Sequence, residues 1–278
     1  MAFKKYLIVA SKLDKAGVNI TTQLSQFRQS PLWPSSHDKP SFDFYLVEEE
    51  IVRDSSFDKL KFEKYDFIIF ASKHQSSSGE KSLCVHAPGN FGSETRYGGV
   101  PGKVCPASGI FNKFIFEKLH KVAKEHNLDK KYKITMEATH HGPLISKPCV
   151  FIEVGSSENE WKDLSACFVV AETIKETIES FQDNPYGEVA IAIGGPHYCP
   201  SFNEIQLKSN VAISHVIAEY NFPITEEKIK EAIAKTTEDY EFILLDWKGL
   251  GNAEERQKVV DVLKKNYIRY KKTSEIGK

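Results

Sequence analysis

Short apolar runs rich in β-branched and aromatic residues recur along the chain and predict β-strands. Eight such runs are found, at 6–10, 42–47, 66–71, 82–86, 132–138, 148–155, 188–193 and 241–246. Between them, apolar positions with helical spacing predict helices at 109–126, 158–181, 225–236 and 253–267. Strands that alternate with helices predict an α/β fold of three layers (αβα), with a largely parallel, mixed central sheet.

The chain contains no internal repeat and no low-complexity linker, so we expect a single catalytic α/β domain over residues 1–278. One irregular segment stands out, residues 88–108, with glycines at 89, 92, 98, 99 and 102. It is too long for a passive connection in a compact domain. A lid or substrate loop is one interpretation, and a disordered surface loop is the other.

Composition excludes several classes of protein. With 41% hydrophobic and 12% aromatic residues, the chain can bury a large core and is not disordered. The formal net charge of -1 is not that of a strongly basic nucleic-acid binder. The charge is uneven, however, because residues 103–133 hold eight lysines against three acids and residues 153–188 hold nine acids against two lysines.

Cysteine usage and hydropathy indicate the compartment. The five cysteines form no C-x-x-C pair, and nothing resembles a signal peptide or an apolar stretch that could cross a bilayer. We therefore expect a reduced, cytoplasmic protein without membrane contact, in which the cysteines are small core residues.

Five of the nine histidines follow a predicted strand directly or within a few residues. Ligand sites of open α/β sheets lie beyond the carboxyl ends of the strands, so these imidazoles are predicted to converge on one crevice. A carboxylate, Glu153, lies in an otherwise apolar strand and requires a partner there. The five histidines are His74, His86, His140, His141 and His197.

Imidazoles combined with a carboxylate are typical ligands of catalytic zinc, which lowers the pKa of water from nearly 16 to about 7 and so promotes hydrolysis. No H-E-x-x-H motif is present, and Glu137-x-x-His140 comes closest. On a strand these two side chains would point to opposite faces, so they can share a site only if the chain turns. For any single histidine, a hydrogen-bonded side chain without metal is an equal alternative. The predicted metal ligands are His86, His140, His141, Glu153 and His197, and the predicted catalytic groups are Glu137, His140 and His141.

Two further groups are predicted to contact substrate. His74 and the turn formed by Gly194, Gly195, Pro196 and Tyr198 would border the crevice. The lysines of the basic segment between 113 and 133 could follow an RNA phosphate backbone, although charged surface helices are common. The lysines chosen for this role are Lys118, Lys121 and Lys124.

Five motifs contain most of these candidate residues: ASKHQ at 71–75, VHAPGN at 85–90, MEATHHGP at 136–143, FIEVGS at 151–156 and GGPHY at 194–198. Together they resemble the archaeal and plant type of D-aminoacyl-tRNA deacylase, and the resemblance spans essentially the whole chain. The resemblance implies a zinc-dependent enzyme that hydrolyses the ester between a D-amino acid and the terminal adenosine of tRNA. It also implies a phosphorylase/hydrolase-like fold related to peptidyl-tRNA hydrolase, and we expect a monomer that binds the acceptor end of tRNA.

Two other classes of function stay open at this point. One is a different enzyme with the same crevice, such as a zinc amidohydrolase, a peptidase, a nucleoside phosphorylase or a peptidyl-tRNA hydrolase-like protein. The other is a non-catalytic RNA-binding protein in which zinc is structural, with four protein ligands and no open position.

Overall fold

The computed structural model describes residues 3–28, 40–53, 62–181 and 185–277. Its strands are β1 (Lys5–Ser11), β2 (Ser41–Val47), β3 (Phe67–Gln75), β4 (Ser82–His86), β5 (Gly89–Asn90), β6 (Lys103–Val104), β7 (Lys133–Met136), β8 (Cys149–Ser156), β9 (Glu188–Ile193), β10 (Val211–Ile217), β11 (Phe242–Leu245) and β12 (Tyr270–Lys272). Its α-helices are α1 (Lys15–Arg28), α2 (Gly109–Glu125), α3 (Glu158–Trp161), α4 (Leu164–Ser180), α5 (Pro200–Lys208), α6 (Glu226–Ala234) and α7 (Ala253–Lys265).

The strands form two main sheets. Six of them pair in the order β2-β1-β3-β8-β4-β7, and four pair in the order β10-β9-β11-β12. All neighbours in both sheets are parallel except β4 and β8, which are antiparallel. Strands β4 and β7 therefore run against the other four strands of the larger sheet. This confirms the predicted mixed, largely parallel α/β architecture.

Helices and sheets pack in three layers. One continuous core contains residues of α1, α2 and α4 together with residues of both sheets, such as Phe111, Val150 and Ala190. On the opposite face of the smaller sheet, Ile229 of α6 and Leu263 of α7 pack in a separate apolar cluster. Helix α2 contacts strands of both sheets and so links them.

The second face of the larger sheet has a different cover. Its apolar side chains, including Val9, Phe70 and Phe151, contact residues of short 3-10 turns and loops, and no α-helical residue belongs to this cluster. Within the described residues, no α-helix covers the polar side chains at this face, and this is where the candidate site lies.

All eight predicted strands are present, and the four predicted helices are found with one change. The helix predicted at 158–181 is two helices, because the Asp163 carboxylate accepts from the N–H groups of Ser165 and Ala166 and starts α4 anew. The capping box of Ser157 and Glu160 is present at α3. The four predicted helices did not include α1, and the sequence patterns also missed α5, β10, β12 and the two-residue strands β5 and β6. In β10 the buried polar pair Ser214 and His215 interrupts the apolar run.

Two predictions from composition can be compared with the structure. The five cysteines are buried and form no disulfide, as expected for small core residues. None of the helices in the described ranges is long and apolar enough to span a bilayer.

The aromatic core beneath α2 gives a prediction about stability. The Phe111 ring lies 4.0 Å from Phe67 and 5.0 Å from Phe181 between centroids, and Phe111 is fully buried. We expect Phe111→Ala to lower the free energy of unfolding by about 3–5 kcal/mol, because it leaves a cavity. Denaturant unfolding checks this, with the exposed Leu13→Ala as control. Equal stability of the two variants would contradict the packing described.

Candidate metal centre and active site

The base of the site is formed by side chains of three neighbouring strands, β3, β8 and β4, that point to the same face of the sheet. Glu153 of β8 pairs in register with Ser72 of β3 and with Cys84 of β4. Side chains on a strand point to alternate faces, so His74, two residues after Ser72, and His86, two residues after Cys84, share the face of Glu153. All of these residues are buried, and the face is the one without a helical cover.

The position of this site corrects the sequence prediction. We expected the histidines beyond the carboxyl ends of parallel strands, but β3 and β4 run in opposite directions, so their carboxyl ends lie at opposite edges of the sheet. His74 and Glu153 therefore reach the cluster across the face of the sheet. His140 and His141 follow the end of β7 and meet His86, as predicted, with ring centroids 4.2 Å and 4.8 Å from that of His86.

Glu137 lies at the middle of the cluster. Strand β7 ends at Met136, so the chain turns and Glu137 can face the same side as His140. Its Oε1 atom is 3.2 Å from both His74 Nδ1 and His197 Nε2, and its Oε2 atom is 3.8 Å from His86 Nε2. These contacts lack hydrogen-bond alignment, so both buried carboxylate oxygens are without a hydrogen-bond partner.

Glu153 has the partners that its burial requires. Its Oε2 atom is 3.6 Å from His74 Nδ1 and 3.9 Å from His86 Nε2. Burial raises the pKa of the Glu137 and Glu153 carboxyls, but the neighbouring imidazoles outweigh burial and hold both pKa values below the usual range. Burial likewise lowers the pKa of His74 and His86, and the two carboxylates more than reverse this. Both carboxyls are therefore ionised at neutral pH.

The tautomers of three imidazoles follow from their backbone partners. The Nδ1 atoms of His86, His140 and His141 each lie within hydrogen-bond distance of a carbonyl oxygen in their own loop. A carbonyl only accepts, so Nδ1 carries the hydrogen and, in the neutral ring, Nε2 carries a lone pair. This arrangement is typical of metal-binding histidines. The carbonyls belong to Ala87, Ala138 and Gly142, at 3.2, 2.8 and 2.7 Å respectively.

The donor atoms are close enough to share metal ions. In each of four groups, the atoms that could ligate lie within 4.8 Å of one another; the groups are His86–His140–His141, Glu137–His140–His197, His86–Glu137–Glu153 and His74–Cys84–Glu137. Burial lowers the pKa of His141 to about 4, which keeps that ring neutral and able to ligate. His86 Nε2 is buried without a hydrogen-bond partner, like the oxygens of Glu137. Buried polar atoms are normally paired, so these residues fit a bound cation.

Asn203, which sequence reasoning missed, holds two parts of the cluster together. Its Oδ1 accepts from the Met136 N–H at 2.8 Å, and its Nδ2 donates to the Tyr198 carbonyl at 3.0 Å. It thereby ties the residue before Glu137 to the residue after His197. Asn203 lies on α5, which no hydrophobic pattern predicted, so the sequence offered no signal for it.

Two tyrosines orient histidines of the cluster. The Tyr198 hydroxyl is 3.0 Å from His74 Nε2, so this residue of the predicted substrate turn contacts the cluster directly. The Tyr220 hydroxyl is 3.2 Å from His197 Nδ1 and was not predicted, because it lies in a loop without a motif.

The other residues of that turn have a conformational role. Gly194 and Gly195 adopt φ values of 103° and 76°, which favour glycine. The Gly195 N–H donates to the Gly249 carbonyl at 3.0 Å, and a Cβ on Gly195 would lie 3.0 Å from Asp246 Oδ2. These glycines pack against the 246–250 turn and, with Pro196, set the position of His197, while their predicted contact with substrate stays a prediction.

Residues 88–108 lie against the cluster. The Gly142 N–H, directly after His141, donates to the Tyr97 carbonyl at 3.0 Å. A Cβ on Gly142 would lie 2.3 Å from the Gly99 nitrogen, so only glycine allows this approach. Asn90 Nδ2 donates to the Gly98 carbonyl at 2.8 Å inside the segment. These bonds favour an ordered loop beside the site over a disordered surface loop.

The structure does not bring the predicted RNA-binding lysines to the cluster. The Nζ atoms of Lys118 and Lys121 each lie 3.3 Å from a carboxylate oxygen of Glu176 on α4. The negative charge of the acidic segment 153–188 thus partly neutralises the positive charge of the basic segment 103–133. Including Lys113 in the RNA-binding set was wrong, because it is buried and its Nζ donates to the carbonyls of Gln206 and Ser209. Lys124 is exposed on α2, and RNA contact by Lys118, Lys121 and Lys124 remains a prediction.

Comparison with known proteins agrees with the motifs. A family model described as D-aminoacyl-tRNA deacylase matches residues 61–271. The chain belongs to this family. A Pyrococcus furiosus protein named D-aminoacyl-tRNA deacylase is 34% identical over 90% of this chain and 93% of its own. An Archaeoglobus fulgidus protein of the same name is 35% identical over 89% of both chains.

A solved structure has the same fold. A crystal structure described as that of a conserved protein of unknown function superposes with a TM-score of 0.85 at 30% identity, covering 99% of this chain and 98% of that one. The resemblance to deacylases expected from the sequence is thus confirmed. The stretch that matches the D-aminoacyl-tRNA deacylase family contains the whole cluster, from His74 to His197.

The Asn203 contacts predict an effect on metal binding. We expect Asn203→Ala to weaken metal affinity about 10–100-fold, the usual effect of removing a residue that positions ligands. Asn203→Asp keeps an acceptor for the Met136 N–H and loses the donor, so it should lie between the unmodified protein and the alanine variant. Competition titration with a chromophoric chelator measures this, with the exposed Lys208→Ala on the same helix as control. Unchanged affinity of Asn203→Ala would contradict the positioning role.

Proposed function

We propose that this protein hydrolyses the ester of D-aminoacyl-tRNA, releasing a D-amino acid and tRNA in the cytoplasm, and that the histidine cluster is its active site. The observation that carries this proposal is Glu137, an ionised, buried carboxylate without a hydrogen-bond partner, surrounded by imidazoles. Such a group is a candidate general base. One chain supplies the whole cluster, so we propose that the monomer is active.

We propose that His86, His140 and His141 hold zinc through their Nε2 atoms, with Glu153 and His197 next to them as further ligands. The free lone pairs of the three rings and the orphaned His86 Nε2 support this. When bound, zinc supplies a Lewis acid that polarises water and the ester carbonyl.

The protein's own residues move the proton. Glu137 Oε2 accepts a proton from the attacking water, while the other oxygen, Oε1, stays close to His74 Nδ1 and His197 Nε2. As the ester C–O bond breaks, this proton passes to the departing ribose oxygen, so that a carboxylic acid and a ribose hydroxyl result. Tyr198 and Tyr220 hold the rings of His74 and His197 in place during this transfer.

The accessibility of the cluster supports a catalytic function over a structural zinc. The His197 side chain is 31% exposed, and His140 and His141 are also partly exposed. A structural zinc site is closed by four protein ligands, whereas a catalytic site keeps an open position. The cluster therefore meets solvent at His197, His140 and His141.

The D and L esters carry the same reacting groups, so the protein can distinguish the enantiomers only by where their α-carbon substituents lie in the site. With the α-amino group and the carbonyl fixed, the side chain and the α-hydrogen exchange places between enantiomers, and a rigid wall rejects one of them. We propose that the Gly142–Pro143 turn provides this wall, because residues 97–99 pack against Gly142 and prevent its movement.

The metal proposal predicts a result of chelation. Purified protein should contain zinc, and its removal should abolish hydrolysis of D-tyrosyl-tRNA until zinc is added back. His140→Ala removes a ligand shared by two groups and should bind zinc at least tenfold more weakly. Elemental analysis and a deacylation assay measure both effects, and full activity of metal-free protein would contradict the proposal.

If a rigid wall distinguishes the enantiomers, the protein should select the configuration at the α-carbon and accept many different side chains. The protein should hydrolyse several D-aminoacyl-tRNAs and leave the L forms largely intact. Pro196→Gly, which loosens the turn that positions His197, should reduce the ratio of D to L rates. Parallel assays with D- and L-tyrosyl-tRNA test this, and equal rates with unmodified protein would point to a general esterase.

A further inference from the structure

We propose that Tyr97 and Arg96 form a stacking surface for the unpaired bases at the 3′ end of tRNA, beside the histidine cluster. This inference rests on the proposed function, because it names the surface on which that substrate is held. It assigns RNA recognition to the 88–108 loop, away from the lysines of α2.

The Tyr97 backbone is fixed with respect to the site. Its carbonyl accepts from the Gly142 N–H at 3.0 Å, and Gly142 follows His141 directly. A Cβ on Gly142 would lie 2.4 Å from the Val52 carbonyl, and one on Gly98 would lie 1.6 Å from the same oxygen. The loop is thus wedged between the His141 turn and residue 52. Tyr97 cannot shift without moving the imidazole that we propose as a ligand.

The Tyr97 side chain is left open to solvent. It is 56% exposed, although a large aromatic ring gains free energy by burial. The Arg96 guanidinium lies 5.5 Å from the Tyr97 ring centroid, and Arg53 Nη2 donates to the Arg96 carbonyl at 3.2 Å. Proteins that bind single-stranded nucleic acid commonly use exposed aromatic rings, on which the bases stack, together with arginines that pair with the phosphates.

A second exposed tyrosine borders the cluster at His197. Tyr220 is 54% exposed, and its hydroxyl is 3.2 Å from His197 Nδ1. Two exposed tyrosines are thus connected to the cluster, Tyr97 through its backbone bond to Gly142 and Tyr220 through its hydroxyl at His197. The ester is attached to the terminal ribose, so the terminal base must lie within one nucleotide of the reacting carbonyl. Tyr97 and Arg96 have the location and the chemistry for this contact.

The α2 lysines are less suited to this function. Lys118 and Lys121 are paired with Glu176 of α4, so RNA phosphates would have to displace an ion pair. Arg96 is exposed and has no salt-bridge partner among the described residues, and its guanidinium lies against the Tyr97 ring. The 88–108 loop therefore presents the Arg96 cation and the Tyr97 ring side by side for contact with RNA.

The test is the kinetics of D-tyrosyl-tRNA hydrolysis by variants of Tyr97. We expect Tyr97→Ala to raise KM about tenfold or more, the effect of losing one base stack, with kcat changed less than twofold. Tyr97→Phe keeps the ring and should stay within twofold of the unmodified protein. Tyr97→Leu keeps apolar surface without a ring and should resemble Tyr97→Ala. Tyr267→Ala removes a tyrosine that is 95% exposed after α7 and serves as the matched control.

The outcomes separate this inference from the proposed function. If the unmodified protein hydrolyses D-tyrosyl-tRNA and Tyr97→Ala keeps its KM, the stacking surface is wrong and the proposed function stands. If Tyr97→Leu retains the original KM, the contact is apolar and stacking is likewise refuted. If the unmodified protein leaves D-tyrosyl-tRNA intact, the proposed function fails and this inference fails with it.

Discussion

The structure of this site depends on the burial of two carboxylates, Glu137 and Glu153, whose oxygens lie within 4.8 Å of each other and of His86 Nε2. Two like charges in a low-dielectric interior repel each other and are poorly solvated, so they persist only with positive or hydrogen-donating neighbours. His74 and His86 lie near both carboxylates, and His197 lies near Glu137. These imidazoles stabilise the ionised carboxylates, and both Glu137 oxygens, which have no hydrogen-bond partner, fit a bound cation as well.

The surrounding fold can be understood as support for that cluster. The register of β3, β8 and β4 places Glu153 between His74 and His86. Asn203 ties the chain at Glu137 to the chain at His197. His141 adopts φ 45°, an unfavourable conformation for a side chain with a Cβ, and the packing of residues 97–99 against Gly142 holds it there. In the part of the chain that the structure describes, loops and short 3-10 turns cover this face, and His197 stays partly exposed.

Much of the fold and most of the candidate site could be predicted from the sequence, and the wrong or missing predictions have physical reasons. Apolar periodicity identified eight strands and four helical segments. Seven of the eight clustered residues were chosen as candidates, whereas Cys84 was assigned to the core. Strand direction is not encoded in periodicity, so the antiparallel β4 and the location of the site on the sheet face were missed. Strand β10 was missed because the polar pair Ser214 and His215 interrupts its apolar run. The ion pair of Lys118 with Glu176 was missed because it depends on the packing of α2 against α4, which no local sequence pattern reveals.

We propose that Glu137 is the proton acceptor of a histidine-lined centre that meets solvent at His197. The most direct test is the single-turnover rate of D-tyrosyl-tRNA hydrolysis by Glu137→Gln, with the zinc content measured in the same sample. We expect a rate at least about 100-fold lower, the usual contribution of a general base, with zinc retained by His86, His140 and His141. An unchanged rate at unchanged zinc content would contradict this function of Glu137.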